Sequence, residues 1–403
     1  MLTNFIATYQ RLLQNTNYRH HRYIFKDFNI TNRLTGLIGP RGTGKTTLLL
    51  QYIKENIKDK DECIYVSVDH IYFSKNTIID FINELYEDYG VRYFFFDEIH
   101  KYARWNQELK NAYDSYPDIK IVFSGSSSID LIKGTYDLSR RGVLYRMDGM
   151  SFREYLLFNN IYETEAFTVE DILKNRSELE GKLSSVKKIK GYFKEYLNGG
   201  YYPFYLEDKE KYHQKILRVI EKVIFEDISN FYKLKTENLS HFKRIISYLA
   251  TIPPGELNIN SISKNIGLDN KTIQNYLMIL YETGLIELLN KNKAGSNLLK
   301  NTEKMYLDNQ DLYSAIIEEI GYEAQIGIIR EIFFIKMLKN SGYKIYYNEV
   351  GDFAVDNHIF EIGGKQKDKK QIKDAIEKSY LVKDDILYGN KKEIPLYLFG
   401  FLY

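Results

Sequence analysis

The chain has 403 residues, 44% hydrophobic and 27% charged. A single core rarely grows to that length, so several domains are expected, and the balance excludes a wholly disordered or collagen-like chain. The formal net charge of +2 makes no bulk electrostatic case for nucleic acid, and no run reaches the roughly 18 apolar residues of a membrane-spanning helix.

The first 25 residues lack a basic start followed by an apolar block, so the protein is expected to be cytoplasmic. Cys63, the single cysteine, lies in the apolar run CIYVSV with no second cysteine for a disulfide. A reducing compartment agrees with that.

The run RLTGLIG predicts a short strand, and TTLLLQYIKENI predicts a helix from the spacing of Leu48, Leu49, Tyr52 and Ile53. Between them, Gly39 to Thr46 matches GxxxxGK[ST]. The glycines of such a loop let consecutive backbone N–H groups turn toward phosphate oxygens at the positive end of the helix. Pro40, Arg41, Gly42, Thr43, Gly44, Lys45, Thr46 and Thr47 are the expected phosphate-binding residues. Lys45 would reach the outer phosphates and the Thr46 hydroxyl would hold Mg²⁺. A tight turn without a ligand is the alternative.

CIYVSVDHIYF supplies a second buried strand, and VRYFFFDEIHKYARW a third, whose apolar residues 93–96 run into Asp97-Glu98. In a nucleotide site Asp97 would stand on the metal and Glu98 would polarise the attacking water. Alone, such a pair reads as a helix N-cap. DIKIVFSGSSS gives a fourth strand. If it lies beside the Asp97 strand, Ser124 or Ser126 would come near the γ-phosphate; the alternative is a Gly/Ser turn capping the next helix. The long segments between strands fit crossover helices, hence a doubly wound parallel sheet.

The runs GPRGTGKTTLLLQYIK, FFFDEIHKYARWNQELKNAYD, IVFSGSSS and LSRRGVLYRMDGMSFREYL together resemble prokaryotic AAA-type ATPases that carry a winged helix and a C-terminal nuclease-like domain. The resemblance implies an ATP-binding P-loop core of the additional-strand, catalytic-glutamate class. It places Lys45 and Thr46 in the Walker A loop, Asp97 on magnesium and Glu98 as the base. It also sets Arg140-Arg141 where such proteins keep an arginine that approaches the γ-phosphate, with solvated surface as the plainer role. The expected catalytic residues are therefore Glu98, Lys45, Arg141 and Ser126, and the expected metal-holding residues Thr46 and Asp97. Trp105 follows the acidic pair, and helix packing is its simplest role.

From Ser151 to about Ser240 the apolar spacing predicts helices interrupted by NGGYYPF, a lid or connector. HFKRIISYLATI, NINSISKNIGL and DNKTIQNYLMILYETG then predict three helices followed by the strand-like LIELL, a winged helix. Lys271, Thr272, Gln274 and Asn275 occupy the start of its third helix, from which base edges are read. Packing or protein docking is an equal alternative, because local positive charge is sparse.

The last hundred residues resemble the restriction-endonuclease-like fold, in which an acidic residue, an Asp and Glu-x-Lys gather a divalent metal. Glu331, Asp352 and Glu361 are the matching carboxylates. Gly363 stands where the lysine is expected, and Lys365 would share the face of Glu361 only if the strand ran on through Gly363-Gly364. Its loss favours a fold used for contact over cleavage.

The expected organisation is thus an α/β P-loop NTPase core over residues 1–150, a helical lid or connector over 151–240, a winged helix over 241–310 and a small α/β nuclease-like domain over 311–403. The expected function is Mg²⁺-dependent ATP hydrolysis that rearranges the winged-helix and C-terminal modules. The alternatives are an ATP-holding switch or docking module for protein or DNA, and an ATP-gated nuclease. No membrane partner is expected.

Overall fold

The computed structural model describes residues 2–17, 19–126, 140–255, 258–291, 302–367 and 378–403. The chain divides into two compact units, 1–149 and 150–403. Among the described residues no helix is long and apolar enough to cross a membrane.

The first unit is built on five parallel strands: β1 (Leu34–Gly39), β2 (Cys63–Ser67), β3 (Tyr93–Asp97), β4 (Lys120–Ser126) and β5 (Gly142–Arg146). Helices α1 (Leu2–Asn15), α2 (Lys45–Asn56), α3 (Ile78–Tyr89) and α4 (Trp105–Ser115) accompany them. Strands β1 to β4 are almost wholly buried, which is why they read as continuous apolar runs and not as alternating ones. Helix α3 turns Ile78, Phe81, Ile82 and Leu85 inward at helical spacing, with Thr77 capping its start and Gly90, at φ 70°, ending it.

The sheet order is β2-β3-β4-β1-β5. The chain therefore leaves β1, returns three places away as β2, and inserts β4 between the glycine-loop strand and the Asp97 strand. In register, Ser126 faces Gly39 across β4 and β1, and Ser67 faces Asp97 across β2 and β3. All the strands point the same way, so the carboxyl ends of β1, β3 and β4 share one edge, where ligands of open α/β sheets sit. Trp105 is buried with its ring 5.5 Å from that of Phe123, the packing role.

The second unit begins with helices that include Phe152–Phe158, Ile189–Asn198 and Tyr212–Lys222. Three further helices, Thr236–Thr251, Ile259–Ile266 and Asn270–Glu282, lead into an antiparallel pair, β6 (Ile286–Asn290) and β7 (Thr302–Leu307). Gly267, at φ 80°, closes the second of these helices, and Asp269 caps the third by accepting from the amides of Lys271 and Thr272.

Helices Gln310–Glu319 and Ile326–Asn340 follow, then a mixed sheet of β8 (Ile345–Tyr347), β9 (Phe353–Val355), β10 (His358–Gly363), β11 (Ser379–Lys383) and β12 (Glu393–Pro395). Its order is sequential from β8 to β12. The first three strands are antiparallel and the last three parallel. Phe334 anchors this sheet, its ring 4.7 to 5.5 Å from those of Phe353, Phe360 and Phe399.

Candidate functional site

At the carboxyl end of β1 the chain passes close to the segment that follows β5. A Cβ on Gly39 would lie 2.0 Å from the Met147 carbonyl oxygen, and the Met147 amide donates to Ile38 O at 2.8 Å. Only glycine admits that neighbour. Gly42 and Gly44, at φ 80° and 95°, carry the loop through left-handed geometry, which glycine adopts without a Cβ penalty. Gly44 occupies the N-cap of α2 and supplies no side-chain acceptor. The first amides of α2 are thereby left to the helix's positive end, an arrangement suited to an anion.

The Lys45 ammonium, only 6% exposed, donates to Gly39 O and Pro40 O, both at 2.9 Å, so the side chain curls over its own loop. Thr43 is buried and its hydroxyl donates to Pro40 O at 3.0 Å. Pro40 and Arg41 are half-buried, and Gly42, Thr46 and Thr47 are exposed. Arg22, absent from the sequence expectations, is buried and donates to the carbonyls of Thr43 and Asp148, the latter at 2.7 Å. It ties the loop to the segment after β5. The basic clump RHHR ahead of the first strand was its only sequence signal.

Asp97, 3% exposed at the end of β3, is the hub of the site. Its Oδ2 accepts from the Thr46 hydroxyl at 2.5 Å and the Tyr65 hydroxyl at 2.6 Å. Its Oδ1 accepts from the Ser124 hydroxyl and from the Glu98 amide at 3.0 Å. Four donors make burial of the carboxylate tolerable. Tyr65 was missed by the sequence reading because a tyrosine inside CIYVSV reads as core. Burial pushes its phenol far above the usual range, and the neighbouring Asp97 adds to the effect.

Glu98 adopts φ 53°, ψ 38°, left-handed geometry that costs a residue with a Cβ about 1–2 kcal/mol. Such strain clusters at functional sites. Its Oε2 is cut off from solvent and makes no hydrogen bond; His100 Nε2 lies 3.3 Å from it. Ser126, buried, has its hydroxyl 3.3 Å from the same nitrogen. Ser127 and Ser128 of that run lie outside the described residues.

Lys45, Thr46, Asp97, Glu98, Ser124 and Ser126 thus come together at one edge of the sheet. Arg141 does not. It precedes Gly142, which pairs with Leu34 at the start of β1, about 16 Å of strand from the loop at 3.3 Å per residue. There its guanidinium holds both oxygens of Asp114 at 3.2 Å. The expectation of an arginine approaching the γ-phosphate is corrected for this residue within its own chain. The parallel register of β5 puts it at the opposite end of the sheet. Arg140 is solvent-exposed.

In the second unit Lys271, Gln274 and Asn275 are exposed, and Thr272 is half-buried with its hydroxyl donating to Asp269 at 2.6 Å. The three C-terminal carboxylates are engaged by lysines. Lys304 lies 3.1 Å from Glu331 and 3.7 Å from Asp352, and Tyr306 also donates to Glu331. Glu361, fully buried, has the Lys367 ammonium 3.0 Å from Oε1, poorly aligned for a hydrogen bond. Strand β10 ends at Gly363, so Lys365 points to solvent while Lys367 folds back across Gly363. Among the described residues no group of three or more His, Cys, Asp or Glu side chains is placed to hold a metal.

Comparisons with known proteins bear on the first unit most directly. Residues 31–156 match the AAA_14 family, described as a AAA domain. Residues 190–319 match a domain of unknown function, DUF8612, across the expected boundaries at 240 and 310. No curated protein matches the chain.

Three of the solved structures it is similar to are AMPPCP-bound DnaA from Aquifex aeolicus, the replication initiator DnaA bound to AMPPCP and single-stranded DNA, and C. elegans PCH-2. The first is 20% identical, covering 69% of this chain and 88% of that one, with a TM-score of 0.28. The second is 19% identical over 68% and 86%, at 0.27. The third is 18% identical over 68% and 67%, at 0.25. Superpositions this partial carry no argument about function. The glycine loop entering a helix, the acidic pair at the end of β3 and the family match together identify residues 31–156 as a P-loop domain of the AAA type.

Proposed function

We propose that the P-loop unit binds ATP with Mg²⁺ and hydrolyses it, and that the nucleotide state repositions modules within 150–403. The observation that carries the reading is the Thr46 hydroxyl resting on Asp97, with the Lys45 ammonium over the loop and Glu98 next in sequence. Two adjacent hard oxygens suit Mg²⁺, which keeps waters and takes phosphate oxygens for its other positions. When bound, that ion would neutralise charge on the outer phosphates. Lys45 would exchange its two carbonyl acceptors for phosphate oxygens, the loop amides would orient the triphosphate, and Glu98 would take a proton from the attacking water.

The test is turnover. Purified protein should release phosphate from Mg·ATP, and Glu98→Gln should keep the affinity while slowing kcat about 10²–10⁴-fold. Parental kcat in that variant would end the assignment of Glu98 as base.

The engagement of Arg141 with Asp114 favours a second reading of the isolated chain. In it, ATP is held with slow turnover until a second copy or a partner supplies a cation. Stored nucleotide without phosphate release, accelerated at high protein concentration or on partner addition, distinguishes it.

In the same proposal, the three helices from Thr236 to Glu282 with β6 and β7 act as a winged helix that docks protein or DNA. The sheet β8–β12 acts as a nuclease-like fold used for contact, supported by the lysines seated on Glu331, Asp352 and Glu361. Plasmid cleavage abolished by Asp352→Ala would argue for the nuclease alternative. The reducing cytoplasm is the proposed setting.

A further inference from the structure

Two groups converge on one imidazole at the end of β3. His100 comes from the 3₁₀ turn Ile99–Lys101 that directly follows Glu98, and Ile99, fully buried, pins that turn to the core. The imidazole is 5% exposed, and 26% of the Glu98 side chain stays open to solvent. Nε2 lies 3.3 Å from Glu98 Oε2 on one side and 3.3 Å from the Ser126 hydroxyl on the other. Glu98 is in left-handed geometry, and side chains 98 and 100, two apart in sequence, lie against each other.

A carboxylate oxygen removed from water needs a donor; Oε2 makes no hydrogen bond as it stands, and the imidazole 3.3 Å away is the group beside it that can supply one. A general base needs the opposite on its other side, a lone pair open to water. The geometry points to His100 as the positioning residue for Glu98: turned onto Oε2, its Nε2–H would tether that oxygen and so aim the other carboxylate oxygen at the water that attacks ATP. This rests on the reading of Glu98 as base.

Ser126 gives the device a second input. The serine faces Gly39, the first residue of the phosphate loop, and it meets the same nitrogen. Nε2 carries one hydrogen or none in a neutral imidazole, so it serves Glu98 as donor or Ser126 as acceptor, not both. A change at the loop that moves the Ser126 hydroxyl therefore alters how the imidazole can hold Glu98.

The experiment uses the full chain and compares the parent with His100→Ala, His100→Phe and His100→Gln. ATP affinity is read by calorimetry with a non-hydrolysable analogue and Mg²⁺, and kcat and KM by phosphate release. The Ala and Phe variants should hold the analogue within about twofold of the parent and lose kcat about 10–100-fold, the scale of a misoriented base. The Gln variant, whose amide still donates, should recover much of that loss.

Parental kcat in the Ala and Phe variants overturns the inference, as does a Gln variant no better than Phe. Where the Phe variant does not fold, the Ala–Gln comparison decides by the same criterion. A parent that binds Mg·ATP and releases no phosphate at any protein concentration overturns the base role of Glu98, and the tether with it, before any variant is made.

Discussion

Lys45→Ala is the most informative single change, because one ammonium has two successive jobs. Without nucleotide it donates to Gly39 O and Pro40 O, both at 2.9 Å, from a side chain 6% exposed. Charge-assisted bonds contribute about 1.5–3 kcal/mol each, offset by the cost of keeping a cation away from water. The net loss of stability should be about 1–3 kcal/mol, or roughly 2–10 °C in the Tm of a unit this size. Binding should suffer more, since truncating one partner of a desolvated charge pair costs about 2–5 kcal/mol.

At a nucleotide concentration 100 times the parental Kd, ligand binding stabilises the parent by about 2.7 kcal/mol, a rise of roughly 5–10 °C. A hundredfold weaker variant would gain only about 1 °C at that concentration. Scanning calorimetry with and without a non-hydrolysable analogue and Mg²⁺ reads both effects, and the analogue keeps turnover out of the measurement. A Lys45→Ala protein that retains more than half of the parental nucleotide-induced shift would refute the phosphate role of the loop.

Two further outcomes follow from groups away from the loop. Arg141→Ala should leave the dilute protein's kcat unchanged and cost at most about 1 kcal/mol, because its partner Asp114 is a half-exposed carboxylate at the far end of the sheet. A large loss of kcat at low concentration, measured by phosphate release, would show that this strand end reaches the nucleotide after all. Asp311 is fully buried, and burial pushes its carboxyl up to about 6, partly offset by donors from Tyr212, Tyr201 and Gly200. Because the folded form binds that proton more tightly, its stabilising contribution is complete below about pH 4 and is lost as pH rises through about 6, on the order of 3 kcal/mol in all. Asp311→Asn should flatten that slope in denaturation midpoints measured from pH 4 to 7, and an unchanged slope would place the titration elsewhere.

The phosphate loop was legible because everything it needs lies within eight residues. Strand, glycines, lysine and threonine follow one another, and Gly42 and Gly44 adopt the geometry their lack of a Cβ permits. The apolar runs at β1 to β4 were legible for a related reason: a strand covered on both faces leaves no polar alternation to misread. Asp97-Glu98 stood out as two charges ending such a run. The Gly363 departure also carried information, since β10 stops there and leaves Lys365 in solvent.

What surrounds Asp97 was decided by tertiary structure. Tyr65 and Ser124 reach it only because the sheet order sets β2 and β4 on either side of β3, and strand order is not written in local spacing. Arg141 falls at the wrong end for the nucleotide because parallel pairing aligns Gly142 with Leu34 and not with Gly39. The lysines on Glu331, Asp352 and Glu361 come from β7 and from beyond β10 for the same reason. The sequence by itself determined the elements and the phosphate loop, which backbone geometry closes over a few residues. Partners lying tens of residues apart were settled by register and topology, where a shift of one strand end changes which side chains meet.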